Sequence, residues 1–205
     1  MHITSDVLPF HRAAMVASVD AVDAVKPDDL AKPTPCAGWS LADLIAHMTV
    51  QNRGFAAAAR GRGGEAAVWD PATVAEAVAA DPVAVYAASA ADVLDAFAAD
   101  GVLDATFTLP DFGPAATFPG AIAIGFHFVD YVVHGWDVAR AVGATFDLPD
   151  DVIAAVLPLV LAVPDGEFRA ADGSPFQPAV TTNGEVSDMD RILAHLGRSP
   201  AWTAY

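Results

Sequence analysis

The sequence predicts an all-α fold: a four-helix bundle with short irregular or extended insertions and a small C-terminal appendage. Three observations carry this. Of the 205 residues, 54% are hydrophobic and only 18% charged. Alanine, the best helix former, supplies much of that apolar count. Four long segments place their apolar residues at helical spacing, and Ser/Asp starts with Gly stops punctuate them.

The first helix is expected from Thr4 or Ser5 to about Val25. Leu8, Met15, Val19 and Val22 share one face, and Pro9 is tolerable because it falls in the opening turns. Three prolines between Lys26 and Trp39 mark a connecting loop. The second helix begins at Ser40, whose hydroxyl and the Asp43 carboxylate form a capping box. It continues through Leu41, Leu44, Ile45, Met48 and Phe55 to about Gly61. A surface loop should follow from Arg62 to Trp69. Asp70-Pro71 and Asp81-Pro82 each read as an N-cap with proline at the first helical position. The second of these opens a long helix ending near Ala99, with Gly101 beyond it. The stretch from Val102 to Phe118, rich in Thr, Phe, Pro and Gly, suits a short extended pair. A fourth long helix runs from about Pro119 to Ala141, closed by Gly143. A fifth helix starts around Pro149 with Asp150 and Asp151 at its positive end and reaches about Val163. Irregular chain follows from Asp165 to Val186, then a short helix from Asp188 to Leu196. This divides the chain into a bundle with its following helix, residues 1–163, and an appendage, residues 164–205.

Composition excludes several functions. With 26 acidic against 10 basic residues the net charge is −16, and the basic cluster needed to grip nucleic acid is missing. Mean hydropathy is high at +0.39. Yet the longest apolar run, from Val152 to Val163, contains Pro158 and falls short of the roughly 20 residues of a bilayer span. No secretory signal opens the chain. A single cysteine, Cys36, suits a reducing compartment. The expectation is a cytoplasmic protein with small-molecule partners, no nucleic acid and no membrane. Its Ala-rich faces leave room for a homodimer.

The chemistry concentrates in the fourth long helix. Asp130 and His134 are four residues apart and project from one face, one turn apart. A carboxylate and an imidazole so placed can chelate one divalent ion, and bundles build such sites from facing helices. His47, beside Leu44 and Met48 on the second helix, is the natural third ligand. Three protein ligands with open positions describe a catalytic zinc site. A direct His134–Asp130 hydrogen bond could equally satisfy a buried carboxylate without metal. His127 lies two turns from His134, about 10 Å along the axis. It is either an acid–base or substrate-contacting group or a core histidine. Asp137 reads as an acceptor orienting an imidazole or as a partner of Arg140. His2, His11 and His195 lack context and are expected to face solvent, and Cys36 is expected as a loop thiol.

The segment Thr34-Pro35-Cys36-Ala37-Gly38-Trp39-Ser40, followed by Asp43-Leu44-Ile45-Ala46-His47, resembles the opening signature of the mycothiol-dependent maleylpyruvate isomerase N-terminal domain. Asp130-Tyr131-Val132-Val133-His134-Gly135-Trp136-Asp137-Val138-Ala139-Arg140 is similar to that family's second signature. Both signatures belong to the DinB-like superfamily of four-helix-bundle metalloproteins. The ending, from Asp190 to Arg198, resembles actinobacterial relatives described as metal-binding. The resemblance implies His47, Asp130 and His134 as the metal triad, with zinc as the ion and Asp130 where the family often has Glu. It implies a low-molecular-weight thiol such as mycothiol as cofactor, and a transferase or isomerase acting on a small electrophile. Arg140 and Arg53 are the cations expected to grip an anionic thiol. A metal-assisted hydrolase, with His127 as base, and a non-enzymatic metal- or small-molecule-binding bundle are the competing readings. About forty residues follow the fifth helix. That is too few for the isomerase's second domain and argues against maleylpyruvate as substrate.

Overall fold

The computed structural model describes residues 7–171, 174–182 and 184–204. Among the described residues, seven α-helices and one two-stranded hairpin follow one another: α1 (Leu8–Asp23), α2 (Leu41–Ala59), α3 (Ala75–Ala80), α4 (Pro82–Phe97), β1 (Thr106–Thr108), β2 (Thr117–Pro119), α5 (Gly120–Val142), α6 (Asp150–Leu161) and α7 (Asp188–His195). The long helices α1, α2, α4 and α5 make the bundle. Helix α1 packs on α5 and α4, and α2 packs on the same two. The ring order is therefore α1, α5, α2, α4. No helix among the described residues is long and apolar enough to cross a membrane.

Local chemistry sets the boundaries. Ser40 Oγ accepts from the Asp43 amide at 3.2 Å while Asp43 Oδ2 accepts from the Ser40 amide at 3.0 Å. Two of the four free donors at the start of α2 are thereby satisfied, and the Leu41 and Ala42 amides donate to the carbonyls of Lys32 and Leu30. Asp81 caps α4 through the Ala84 amide at 3.0 Å. Gly143 ends α5 at φ 76°, the left-handed turn that glycine makes without strain. The hairpin pairs Phe107 with Phe118, antiparallel.

Several expectations need correction. The expected start of α1 at Thr4 or Ser5 lies outside the described residues, where His2 also falls. Asp70 caps a single 3-10 turn, Pro71–Thr73, and the helix that follows it, α3, is short and starts only at Ala75. The segment ending at Trp69 is not simply a surface loop. The Trp69 ring packs on Phe55 and over Gly54, where an added Cβ would collide with the ring, and its Nε1 donates to Gly63 O.

Two apolar cores result. One fills the bundle with Met15, Leu44, Ile45, Met48, Phe97 and Phe107 among others. The second joins the outer face of α5 to α6 and α7 through Phe128, Val132, Val156, Ile192, Leu193 and Leu196. Within the irregular stretch, Arg169 is fully buried and donates to the carbonyls of Pro164, Val163 and His195. Those bonds tie the Arg169 turn and the end of α7 to the end of α6, as burial of a charged group requires. His195, expected in solvent, is half-buried with Nε2 2.9 Å from Val163 O.

Candidate metal centre

Helix α5 is buried almost throughout, and between Ala123 and Ala139 only Phe126 and Asp130 are partly exposed. Helix α2 shows the same pattern at His47 and Gln51. Each pair is four residues apart and therefore lines one face. His47 meets Asp130, and Phe55, further along α2, meets His127, earlier on α5. The helices thus run antiparallel, and their partly exposed faces form a common seam.

His47, Asp130 and His134 converge in this seam, with ligand atoms all within 4.8 Å of one another. His134 Nε2 lies 3.2 Å from Asp130 Oδ1, and His47 Nε2 lies 3.9 Å from Asp130 Oδ2. Tetrahedral zinc bonds of about 2.0–2.1 Å would place ligand atoms about 3.3 Å apart. The residues present therefore fit a divalent ion with small adjustments. The Trp39 ring packs against His47 at 4.9 Å and lies nearly parallel to His134 at 6.4 Å.

Behind His134 lies a buried charge network. Its Nδ1 is 3.0 Å from Asp137 Oδ2, so the imidazole donates there and directs Nε2 toward Asp130. Asp137 is fully buried and is held in turn by Arg198, whose Nη2 donates to Oδ2 at 3.0 Å. The same nitrogen donates to Cys36 Sγ at 2.8 Å, and the thiol lies 3.3 Å from Asp137 Oδ2. Of the two readings of Asp137, the structure selects the imidazole acceptor. Cys36 is the half-buried inner member of this network, carried on the loop that also delivers Trp39. Thr34 Oγ1 fixes that loop by donating to the carbonyls of both Cys36 and Trp39.

Protonation follows these contacts. Burial works against charge on His134, but Asp130 and Asp137 raise its pKa well above the ordinary histidine value. Desolvation in the seam favours neutral Asp130, yet His134 and His47 hold its pKa below the carboxylate range. Burial lowers His47 to about 4 against the opposing pull of Asp130. His47 therefore carries a free lone pair at neutral pH.

The other expected site residues stand apart from the triad. His127 is fully buried, stacked on Tyr131 at 4.1 Å, with Nδ1 2.8 Å from His11 Nε2. His11, expected to face solvent, is instead this buried partner, because the apolar face of α1 turns it toward α5. Arg140 donates to Pro200 O at 2.8 Å and lies over the Trp136 ring. Arg53 is exposed on α2, two residues past Gln51 and so on the opposite side from the His47–Gln51 stripe. The guanidinium that reaches the centre is Arg198. No local signal announced it, since Asp137 and Cys36 lie 61 and 162 residues away from it in sequence.

Comparison with known proteins agrees with this architecture. The family described as the mycothiol maleylpyruvate isomerase N-terminal domain matches residues 11–139. Uncharacterized proteins from two strains of Mycobacterium tuberculosis are 32% identical over 194 residues, covering 95% of this chain and 98% of theirs. The crystal structure of the mycothiol-dependent maleylpyruvate isomerase superposes with a TM-score of 0.67 at 15% identity, covering 95% of this chain and 89% of that one. A histidine-to-alanine mutant of the same enzyme superposes equally well, at 14% identity. This reach corrects the expectation of a missing domain, because the likeness extends over nearly the whole isomerase. The argument against maleylpyruvate that rested on the missing domain falls with it. The chain belongs to the mycothiol maleylpyruvate isomerase N-terminal domain family.

Proposed function

We propose that this member of the family binds one divalent ion, zinc by preference, through His47, Asp130 and His134. In this reading it serves a transferase or isomerase reaction that joins a low-molecular-weight thiol of the mycothiol class to a small electrophile. The observation that best supports the reading is the convergence of three ligand atoms from two helices, with His134 already oriented from behind by Asp137. When bound, such an ion supplies Lewis acidity that stabilises a thiolate at neutral pH.

The chain's own residues supply the rest. Asp137 holds the Nδ1 proton of His134 and so presents Nε2 as a ligand. Arg198 balances the buried Asp137 charge, which keeps that carboxylate an acceptor. Trp39 shields one side of His47 from water, while Asp130 and His47 each keep part of their surface exposed in the seam. His127 sits behind Tyr131 and Phe55, and the reading gives it no contact with substrate.

The test compares the zinc-reconstituted wild-type protein with His47→Ala. One equivalent of zinc by elemental analysis and thiol-dependent consumption of an electrophile are expected in the wild type, and both should be lost in the variant. A wild-type protein that takes up no zinc, or a variant with unchanged turnover, would refute the reading.

A further inference from the structure

One helical turn from the triad, the same seam carries an aromatic shelf. Phe126 precedes Asp130 by four residues on α5, and Gln51 follows His47 by four on α2. Because the helices are antiparallel, both lie in the same direction from the triad. The connection between β1 and β2 closes over them there. Phe112 stacks on Phe126 at 4.9 Å with the rings 25° from parallel, and Phe118 completes a trio with both at 5.0 and 5.2 Å. Gln51 Nε2 donates to Asp111 Oδ2 at 3.3 Å, which pins the same turn to α2.

The shelf is built in advance. The Pro110–Phe112 turn is closed by main-chain bonds from Gly113 to Pro110 and from Phe112 to Leu109, with Gly113 at φ 130°. Despite these contacts Phe112 is 56% exposed. A large ring so exposed beside a polar centre offers a flat apolar face on which another ring can stack.

The polar groups along this stretch narrow the class of ligand. They are the Asp111 and Asp130 carboxylates and the Gln51 amide. The guanidinium that reaches the centre, Arg198, is engaged by Asp137 and Cys36 on the far side of His134. An anionic ligand on the shelf would meet the Asp111 carboxylate, whose partner is the Gln51 amide rather than a cation, whereas a neutral flat ring would stack on Phe112 without opposition.

We infer that the Phe112–Phe126 shelf is the acceptor subsite, and that the electrophile is a neutral, flat aromatic or similarly apolar molecule rather than a dicarboxylate. This rests on the thiol-transfer reading for the word acceptor, but the shelf itself can be tested without it.

The probe is nitrobenzene, a neutral flat quencher of tryptophan fluorescence, titrated into metal-free and zinc-loaded protein. Maleate serves as the dicarboxylate control. Saturable nitrobenzene binding is expected, weakened about 5-fold in Phe112→Ala, the size of one lost aromatic stacking contact. Zinc uptake and helicity should be unchanged, because Phe112 is exposed and touches no ligand. Nitrobenzene binding that is absent or insensitive to Phe112→Ala would overturn the shelf, as would maleate binding that displaces it. A wild-type dimer converted to monomer by Phe112→Ala would also overturn it, by seating a second copy there. Intact Phe112-dependent binding in a protein that takes up no zinc supports the shelf while removing the metal reading.

Discussion

His134 and His127 occupy the same helix, seven residues apart, yet the bundle treats them as opposites. Carboxylates surround His134, and its pKa rises well above the ordinary value. Rings and a second histidine surround His127, and burial lowers its pKa well below that value. His11 follows its partner down to about 3. The difference teaches that burial alone silences an imidazole, whereas burial beside an anchored carboxylate orients it and makes it useful. One cluster faces a seam where ligands can enter, and the other packs as core.

The sharpest way to break this comparison is to remove the anchor. In Asp137→Asn, zinc affinity should fall about 10–100-fold, the usual effect of losing an orienting partner of a metal histidine. Calorimetric titration of zinc into the folded variant would check it, and unchanged affinity would show that Asp137 has no hold on the centre. A medium effect is expected in the core cluster. His127→Phe strands the buried Nε2 of His11, at a cost of about 1–3 kcal/mol. Urea unfolding should show that loss while zinc affinity stays the same. A variant that loses zinc instead would merge the two clusters into one site.

The smallest effect is a slope. The folded pKa of His11 lies below its unfolded value of about 6.5, so the unfolded chain binds more protons between that pH and about 3. Stability should therefore fall as pH falls through this window, by at most about 1.4 kcal/mol per pH unit for one proton. His11→Gln keeps a hydrogen-bonding group for His127 but does not titrate, so the metal-free variant should show a shallower decline between about pH 6.5 and 4.5. Equal slopes in the two proteins would refute the buried-neutral assignment.

What was legible in the sequence was what local geometry dictates. The capping box at Ser40, the stop at Gly143, the hairpin and the Asp130–His134 spacing depend on residues within one or two turns. The packing of Trp69 and the late start of α3 were not legible because both rest on contact with α2, which no local pattern records. His11 was misplaced for the same reason. A lone histidine on an apolar helix face reads as exposed until the partner 116 residues away is known. Asp137 and Arg198 belong together only in three dimensions, so most of the acidic residues could be assigned to solvent while this one is wholly enclosed.

The reach of Arg198 also bears on how the centre comes into being during synthesis. Every triad ligand has been synthesised by residue 134, with the cap and seam already encoded. The counter-charge for Asp137 arrives only with residue 198, after α6 and α7 have been made. Until then the Asp137 carboxylate has His134 and the Cys36 thiol as its partners, so the segment that carries Arg198 acts as the latch that completes the site.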